Sequence, residues 1–389
     1  MRVLVVGSGP AGLAAAKTLA LAGAEVTVVE RQTMAGGVPR LCGHSPYGMR
    51  EFHRIMGGAA YAERLSRQAT QAGARILTRH AVTAIDDRVH LSTPDGPLTL
   101  TPDRILLATG AREASRAERL LPGERPQGIL TTGALQDLWF ARGITPFRRP
   151  VILGSELVAM SAILTCREAG ARPVALVDSG PMIARAPFRW LPRVLGLPLH
   201  LGATIEDIIA TDGQISRLVI RKGETLRDIA CDGLILTGQF RPEAGLARMA
   251  GLLIDPATMG PVTDQHGRTS RPEIFAAGNL LRGIETAGHC WAEGRRIARA
   301  MLDDPAPSTL ELRPGPGLRY VTPQRLGPDA VLNLRLDRAA RGTLTLTDAK
   351  GRRLASLQTG SAPERRVTFD LRGVNLDGAH GPLTVTMEA

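Results

Sequence analysis

The stretch RVLVVGSGPAGLAAAKTLALAGAEVTVVE, residues 2–30, constrains the fold more than any other. The valine-rich run at 2–6 reads as a buried parallel strand. Gly7, Gly9 and Gly12 follow in the spacing G-x-G-x-x-G, with Pro10 and Ala11 inside the turn. Residues 13–23 have helix-forming composition and stop at Gly23, a C-cap residue, and the strand over 24–29 ends on Glu30. Each glycine has its own reason. Gly7 allows the tight turn, Gly9 lets the backbone approach a pyrophosphate, and Gly12 lets helix and strand pack closely. The helix N-terminus then offers unpaired N–H groups and a partial positive charge to the phosphates. Glu30, 18 residues after Gly12, is placed to accept hydrogen bonds from the ribose hydroxyls. Strand, turn, helix, strand and acid in register predict an α/β, Rossmann-like dinucleotide-binding domain.

The same design recurs at PVILGSELVAMSAILTCREAGARPVALVD, residues 150–178. The distance from first glycine to terminal acid is 23 residues from Gly7 to Glu30 and 24 from Gly154 to Asp178. CDGLILTG (231–238) echoes PDRILLATG (102–110). A second Rossmann-like, NAD-like unit is therefore expected over 116–240, inserted in a first domain made of 1–115 and 241–303. Its fingerprint has decayed. Gly154 and Ser155 are kept, but Glu156 stands where backbone should meet the pyrophosphate, and Ala159 replaces the third glycine. Two unit charges at about 4 Å repel by roughly 1 kcal/mol in water and about 4 kcal/mol at intermediate dielectric. Asp178 would still suit a ribose and disfavour a 2′-phosphate. The expectation is a second site that does not use NAD(P)H in the ordinary way. Two alternatives stay open: an outward-turned Glu156 with weak NADH binding, or a different ligand such as an adenine nucleotide.

Two further segments indicate which nucleotide the first site takes. DRILLATGAR (103–112) is an apolar strand running into Ala108, Thr109 and Gly110, and RTSRPEIFAAGNLLRG (268–283) is another, running into Ala277, Gly278 and Asn279. Together with the opening fingerprint, these resemble the two-dinucleotide-binding flavoproteins of the pyridine-nucleotide–disulfide oxidoreductase type, over roughly residues 1–303. The resemblance implies FAD at the first site. It adds Arg31, Gly37, Val82, Ala108, Thr109, Gly110, Gly278, Asn279 and Thr286 to the cofactor contacts. Asn279 stands where that family usually has an aspartate on a ribityl hydroxyl; an amide oxygen accepts the same bond without the charge. GGVPRLCGHSPYGMREFHRIMGGAAYAERL (36–65), with its Cys-x-His-x-x-x-Gly stretch, and NLLRGIETAGHCWAEGRRIA (279–298) are similar to the flavoproteins found with glycerol-3-phosphate dehydrogenase systems. The same broad group includes the FAD-binding subunits of opine, proline and cyanide-forming amino acid dehydrogenases.

That resemblance implies a position for Cys42 beneath the flavin, followed by His44 and Tyr47. A thiolate there would form a charge-transfer pair or take electrons, and His44 would lower its pKa or carry protons. Against this, Cys42 lies five residues after Gly37, whereas the family's disulfide sits two and seven residues on; the alternative is a small packed side chain. Glu285 and His289, four residues apart, share a helix face that lines the cavity or faces solvent or an interface. Arg40 and Arg282 flank glycines near the cofactor segments and are candidates for an anionic substrate. The four cysteines, Cys42, Cys166, Cys231 and Cys290, form no CxxC pair, which disfavours a metal site, an iron–sulfur cluster on this chain or a sequence-adjacent redox disulfide.

The formal net charge of +11 is carried almost wholly by dispersed arginines, with only Lys17, Lys222 and Lys350 as lysines, and aromatics are 3 %. Both features argue against nucleic-acid binding. No apolar run approaches the roughly 18–20 residues of a membrane span. The apolar start runs straight into the Gly7 turn, so a cytoplasmic protein is expected. After a proline-rich linker at 304–317, residues 318–389 alternate in short runs (330–336, 342–348, 352–358, 365–371 and 382–388), the pattern of a small β-sandwich or barrel. Its expected role is to dock a partner protein or to cover an apolar face. The favoured reading is an FAD-dependent oxidoreductase that relays electrons for a small-molecule dehydrogenase of amino acid, opine or polyol-phosphate type, working with a partner dehydrogenase or iron–sulfur subunit. The rivals are a stand-alone NADH-dependent flavin reductase or oxidase acting through Cys42, and a structural subunit that FAD merely stabilises.

Overall fold

In the computed structural model, which describes residues 1–363 and 365–388, both fingerprint segments fold as the sequence pattern requires. The chain divides into two units: Met1–Gly37, Ala62–Ala111 and Pro242–Ala389 form the first, and Val38–Tyr61 with Arg112–Arg241 the second.

The first unit is built on a five-stranded parallel sheet in the order Ile274–Ala276, Arg104–Leu107, Arg2–Val6, Glu25–Glu30, Arg75–Thr78. Its strands are apolar on both faces because both are covered: Val5 faces the Pro10–Leu21 helix, while Leu4, Val6, Val29, Ile105 and Leu107 pack against Ile85, Val89 and Leu91 of a three-stranded sheet and against Ala247 and Ala250. The helices Pro10–Leu21 and Ala287–Asp303 pack so closely that a Cβ on Gly294 would lie 2.1 Å from the Ala11 carbonyl oxygen. The three-stranded sheet Ala81–Ile85, Val89–Thr93, Gly96–Leu100 fills the crossover.

The tail forms two facing sheets. One has the order Arg325–Leu326, Leu310–Pro314, Leu383–Glu388, Ala340–Thr347, Arg353–Ser361; the other is Leu318–Thr322, Val331–Leu336, Val367–Asp370. Leu332, Leu334, Leu344, Leu346, Phe369 and Val385 fill the space between them. The strand Leu310–Pro314 falls inside the stretch expected to be linker. Its Leu-Glu-Leu-Arg alternation pairs with Leu383–Glu388, a partner too distant in sequence for composition to suggest. The sandwich is fixed to the parallel-sheet part of its unit: the Gln324 side chain accepts from Thr263 N (3.1 Å) and donates to Asp255 (3.2 Å).

The second unit repeats the layout. Its parallel sheet runs Leu199–Leu201, Ala175–Asp178, Pro150–Leu153, Gly233–Leu236, Ile129–Thr131, beside the antiparallel sheet Thr204–Thr211, Gln214–Lys222, Thr225–Ala230. Residues 38–61, expected within the first domain, pack here instead. His44, Tyr47, Phe52 and Tyr61 form a small ring cluster, and hydrogen bonds tie the segment to the helices Thr132–Gln136 and Leu157–Glu168. Among the described residues no helix is long and apolar enough to cross a membrane.

Candidate functional site

The first turn is shaped as a phosphate cradle. Gly7 adopts φ +101°, and a Cβ there would lie 2.5 Å from the Ala108 carbonyl oxygen; one on Gly12 would lie 2.0 Å from the Gly7 oxygen. Gly37 is equally confined, its Cβ position lying 2.8 Å from the Gly9 Cα. Cβ positions on Gly9 and Gly110, by contrast, meet nothing within 4 Å. Backbone therefore borders open space at the end of the Pro10–Leu21 helix, whose cap at Gly9 uses no side chain and which has Pro at its start. This combination of bare backbone, free first-turn N–H groups and helix dipole fits a dinucleotide's diphosphate. Ala11 is buried in the first turn, Arg31 is exposed just beyond the strand, and Val82 is half-buried against the core. Glu30 is buried at the strand end. One carboxylate oxygen accepts from Ser8 N (3.1 Å) and Ser8 Oγ (2.6 Å), the other from Gln32 N (2.9 Å), and a carboxylate keeps capacity for further donors. Thr109 Oγ1 donates to the Glu243 carbonyl at 2.9 Å.

Around Gly278 (φ +76°) the chain closes a loop. Asn279 accepts from Glu285 N at 2.7 Å and donates to the Glu285 carbonyl at 3.4 Å. An aspartate could not make the second bond, which gives the amide a reason of its own at this position. Thr286 caps the helix Ala287–Asp303 in extended backbone, its hydroxyl 3.0 Å from His289 Nδ1. Glu285 and His289 do share a face, at 3.6 Å, but Glu285 is buried. Its carboxylate also meets Arg282 at 3.3 Å and Arg366 of the β-sandwich at 3.8 Å, and Arg335 donates to the neighbouring Ile284 carbonyl. Arg282 is no open anion site: it is fully buried, bonded to Glu293 at 2.9 Å, and although burial opposes its charge, Glu293 and Glu285 raise its pKa. Burial pushes the Glu293 carboxyl up, but Arg282, Arg296 and the bond from Gly278 N together hold it below the ordinary value.

The second turn has the same frame with its cradle filled. Glu156 caps the Leu157–Glu168 helix and is only 8 % exposed; its side chain folds inward. Its carboxylate lies 2.8 Å from the Cβ position of Gly154 and about as close to that of Gly238, at 2.6 Å; these glycines are the counterparts of Gly7 and Gly110. Ser155 N, which corresponds to Ser8 N, donates to Glu156 at 3.1 Å rather than to the strand-end acid, and Asp178 accepts from Gly180 N at 2.8 Å. The following loop folds over the turn: Ser155 Oγ donates to the Pro181 carbonyl, and Ile183 N and Ala184 N donate back to Ser155. The outward-turned Glu156 is thus not what the chain adopts.

Cys42 is buried, its Sγ 3.6 Å from the Val38 carbonyl and 3.8 Å from Gln136 Oε1. Burial pushes the thiol pKa up; hydrogen bonds with Tyr47 and Gln136 pull it down, and Glu113 adds to the rise. Burial thus favours the protonated thiol, the direction opposite to the thiolate that one of the two readings of Cys42 requires. His44 does not activate it: Nε2 lies 2.7 Å from Ser161 Oγ, which in turn receives Gln136 Nε2 at 2.9 Å. All four cysteines are free and buried.

The model of the pyridine nucleotide-disulphide oxidoreductases matches residues 1–294. The chain belongs to that family. It is an FAD-dependent oxidoreductase. The chlorobenzene dioxygenase ferredoxin reductase component of Cupriavidus sp. (strain PS12) is 28 % identical over 331 residues, covering 77 % of this chain and 74 % of the relative. An opine oxidase subunit of Agrobacterium tumefaciens (strain Ach5) is 25 % identical over 343 residues, covering 78 % and 65 %. In fold, the thioredoxin reductase of T. acidophilum superposes with a TM-score of 0.65 at 19 % identity, over 78 % of this chain and 97 % of that one. Within this family's frame, the chain has a second cradle filled by the Glu156 carboxylate and a buried Cys42.

Proposed function

We propose that this protein is the electron-relaying flavin subunit of a small-molecule dehydrogenase of amino acid, opine or polyol-phosphate type, exchanging electrons with a partner dehydrogenase or iron–sulfur subunit. The observation that carries this reading is the Glu156 carboxylate folded onto Gly154 and Gly238, which fills and charges the place a second nucleotide's diphosphate needs. The names of two relatives, a ferredoxin reductase component and an opine oxidase subunit, describe proteins that work as parts of larger systems.

In this reading FAD supplies reversible one- and two-electron chemistry at the first site. The chain's own residues hold it. Gly7, whose own N–H is taken by the Val29 carbonyl, and Pro10, which has none, would shape the turn; the N–H groups of Gly9, Ala11 and Gly12 would meet the diphosphate, Glu30 would turn its remaining acceptor capacity to the ribose, and Gly110, Gly278 and the Asn279–Glu285 loop would flank the remainder.

The test is anaerobic stopped-flow mixing of the FAD-loaded protein with NADH, followed at the visible flavin band. The expected result is slow or absent bleaching with NADH and rapid bleaching with the partner dehydrogenase and its substrate. Bleaching by NADH at a catalytically useful rate would sink the relay reading in favour of a stand-alone reductase. No reduction by either donor would leave only a structural role for FAD.

A further inference from the structure

Beyond the filled cradle, the second unit carries a surface that its own fold does not use. Residues 185–190, Arg-Ala-Pro-Phe-Arg-Trp, are all exposed in succession. Phe188 is 38 % exposed, Trp190 47 % and Val194 78 %, with Ile183 also exposed. Four exposed apolar side chains of this size within twelve residues of one short turn are a candidate interaction site. The charge is one-sided: Arg185, Arg189 and Arg193 lie here, and no Asp or Glu occurs between Asp178 and Glu206. Arg189 and Arg193 stack on the Trp190 ring with guanidinium carbons 5.3 and 5.4 Å from its centroid. This pre-arranges two cations around one aromatic anchor. The segment is also the one whose start folds over the fingerprint turn through Ser155, so its base is fixed while its tip projects.

We infer that this arginine–tryptophan turn is the docking surface for an acidic iron–sulfur protein with which the flavoprotein exchanges electrons, an inference that rests on the relay reading above. Tryptophan and arginine are the residues that most often carry interface energy. A cationic rim around an apolar anchor selects a partner of opposite charge and speeds the encounter. A second copy of this chain is the poorer occupant, because a two-fold contact would set the arginines of one copy against those of the other. A lipid surface is also poorer. The turn consists of the three-residue helix Phe188–Trp190 and the four-residue helix Leu191–Val194, and so short a structure leaves backbone groups that hydrocarbon cannot satisfy.

The probe is an acidic [2Fe–2S] ferredoxin, mixed anaerobically with the chemically reduced, FAD-loaded full chain at low and high salt. The expected result is saturable ferredoxin reduction whose half-saturating concentration rises with salt. Trp190→Ala, and separately the pair Arg189→Glu and Arg193→Glu, should raise that concentration about 30-fold. The paired Arg→Lys changes should keep most of the binding. Reduction of ferricyanide, too small to need docking, and the melting temperature should not change. Equal half-saturation in wild type and variants would overturn the docking inference while leaving the relay reading intact. Failure of the wild type to reduce ferredoxin while still reducing ferricyanide would strike at the relay reading itself. Binding to phosphatidylglycerol vesicles that the variants lose, or a dimer in sedimentation that they lose, would assign the turn to a membrane or to a second copy and overturn the inference.

Discussion

Glu156→Gly should turn the second unit toward nucleotide binding, and Glu156→Gln should separate the two reasons why it is closed. The carboxylate occupies space within 2.6 Å of one Cβ position and 2.8 Å of another on the two glycines that border the cradle. Removing it opens both. One carboxylate–phosphate pair at about 4 Å costs about 4 kcal/mol at an effective dielectric of about 20. Outward rotation of a glutamate recovers part of that, so a net gain of about 2–3 kcal/mol is expected for glycine, roughly 30- to 150-fold in NADH affinity. Glutamine removes the charge but keeps the volume and should give a smaller gain. The change also has a cost: Ser155 N loses its acceptor at 3.1 Å, and an unsatisfied buried donor is worth about 1–3 kcal/mol of stability. Fluorescence titration with NADH, read beside thermal melts, measures both quantities. Unchanged NADH affinity in a folded Glu156→Gly protein would refute the argument that this side chain closes the site.

The other expectations are more local. Cys42→Ser should leave the flavin spectrum and turnover unaltered, and native Cys42 should react with a thiol reagent at pH 8 far more slowly than the denatured chain, because burial holds the thiol protonated. Asn279→Asp should lower the melting temperature and speed flavin release on dilution, since the bond to the Glu285 carbonyl is lost and a carboxylate is set against it; the loss expected is about 1–2 kcal/mol. Glu293 has a folded-state pKa below its unfolded value, so its contribution to stability is present above about pH 4.3 and disappears as pH falls through the lowered value. Urea unfolding at pH 7, 4 and 3 should show that loss. Glu293→Gln should flatten the slope and lower stability at pH 7, because buried Arg282 then keeps only Glu285, at 3.3 Å, as an ionic partner.

What could be read from the sequence was what depends on neighbours in sequence. The Gly7 turn, the Glu30 acid and the copied frame at 150–178 each lie within one strand–helix–strand unit, and their spacing is a direct consequence of that geometry. The alternating runs of the tail were legible for the same reason. What the sequence hid depends on distant pairs. Residues 38–61 follow the first fingerprint yet fold onto Gln136 and Ser161, which lie 94 and 117 positions beyond Cys42 and His44. Arg282 has the sequence context of an anion site beside a glycine, and Glu293, eleven residues on in the helix that follows, together with Glu285 makes it a buried structural ion. The strand at 310–314 did leave a signal, the alternation Leu-Glu-Leu-Arg, masked by the prolines on either side.

The two turns also show how a nucleotide site can be closed without losing its fold. In the first, Ser8 N and its hydroxyl are satisfied by Glu30 at the end of the second strand. In the second, the strand-end acid is Asp178, one methylene shorter; it keeps the bond from Gly180 N, the counterpart of Gln32 N, but Ser155 N donates elsewhere. The acceptor for Ser155 N has therefore moved from the strand to the turn, into Glu156, the residue that blocks the cradle. Closure and backbone satisfaction are thus carried by one carboxylate, and reopening the site requires an acceptor elsewhere. Asp178→Glu made together with Glu156→Gly restores the reach of the strand-end acid and should recover about 1 kcal/mol or more of the stability that Glu156→Gly loses. Asp178→Glu alone should gain nothing, because Ser155 N is already taken. A double-mutant cycle by urea unfolding reads the coupling directly. Additive effects would mean that Ser155 N finds its partner by some other route, and that the acid at the turn serves closure alone.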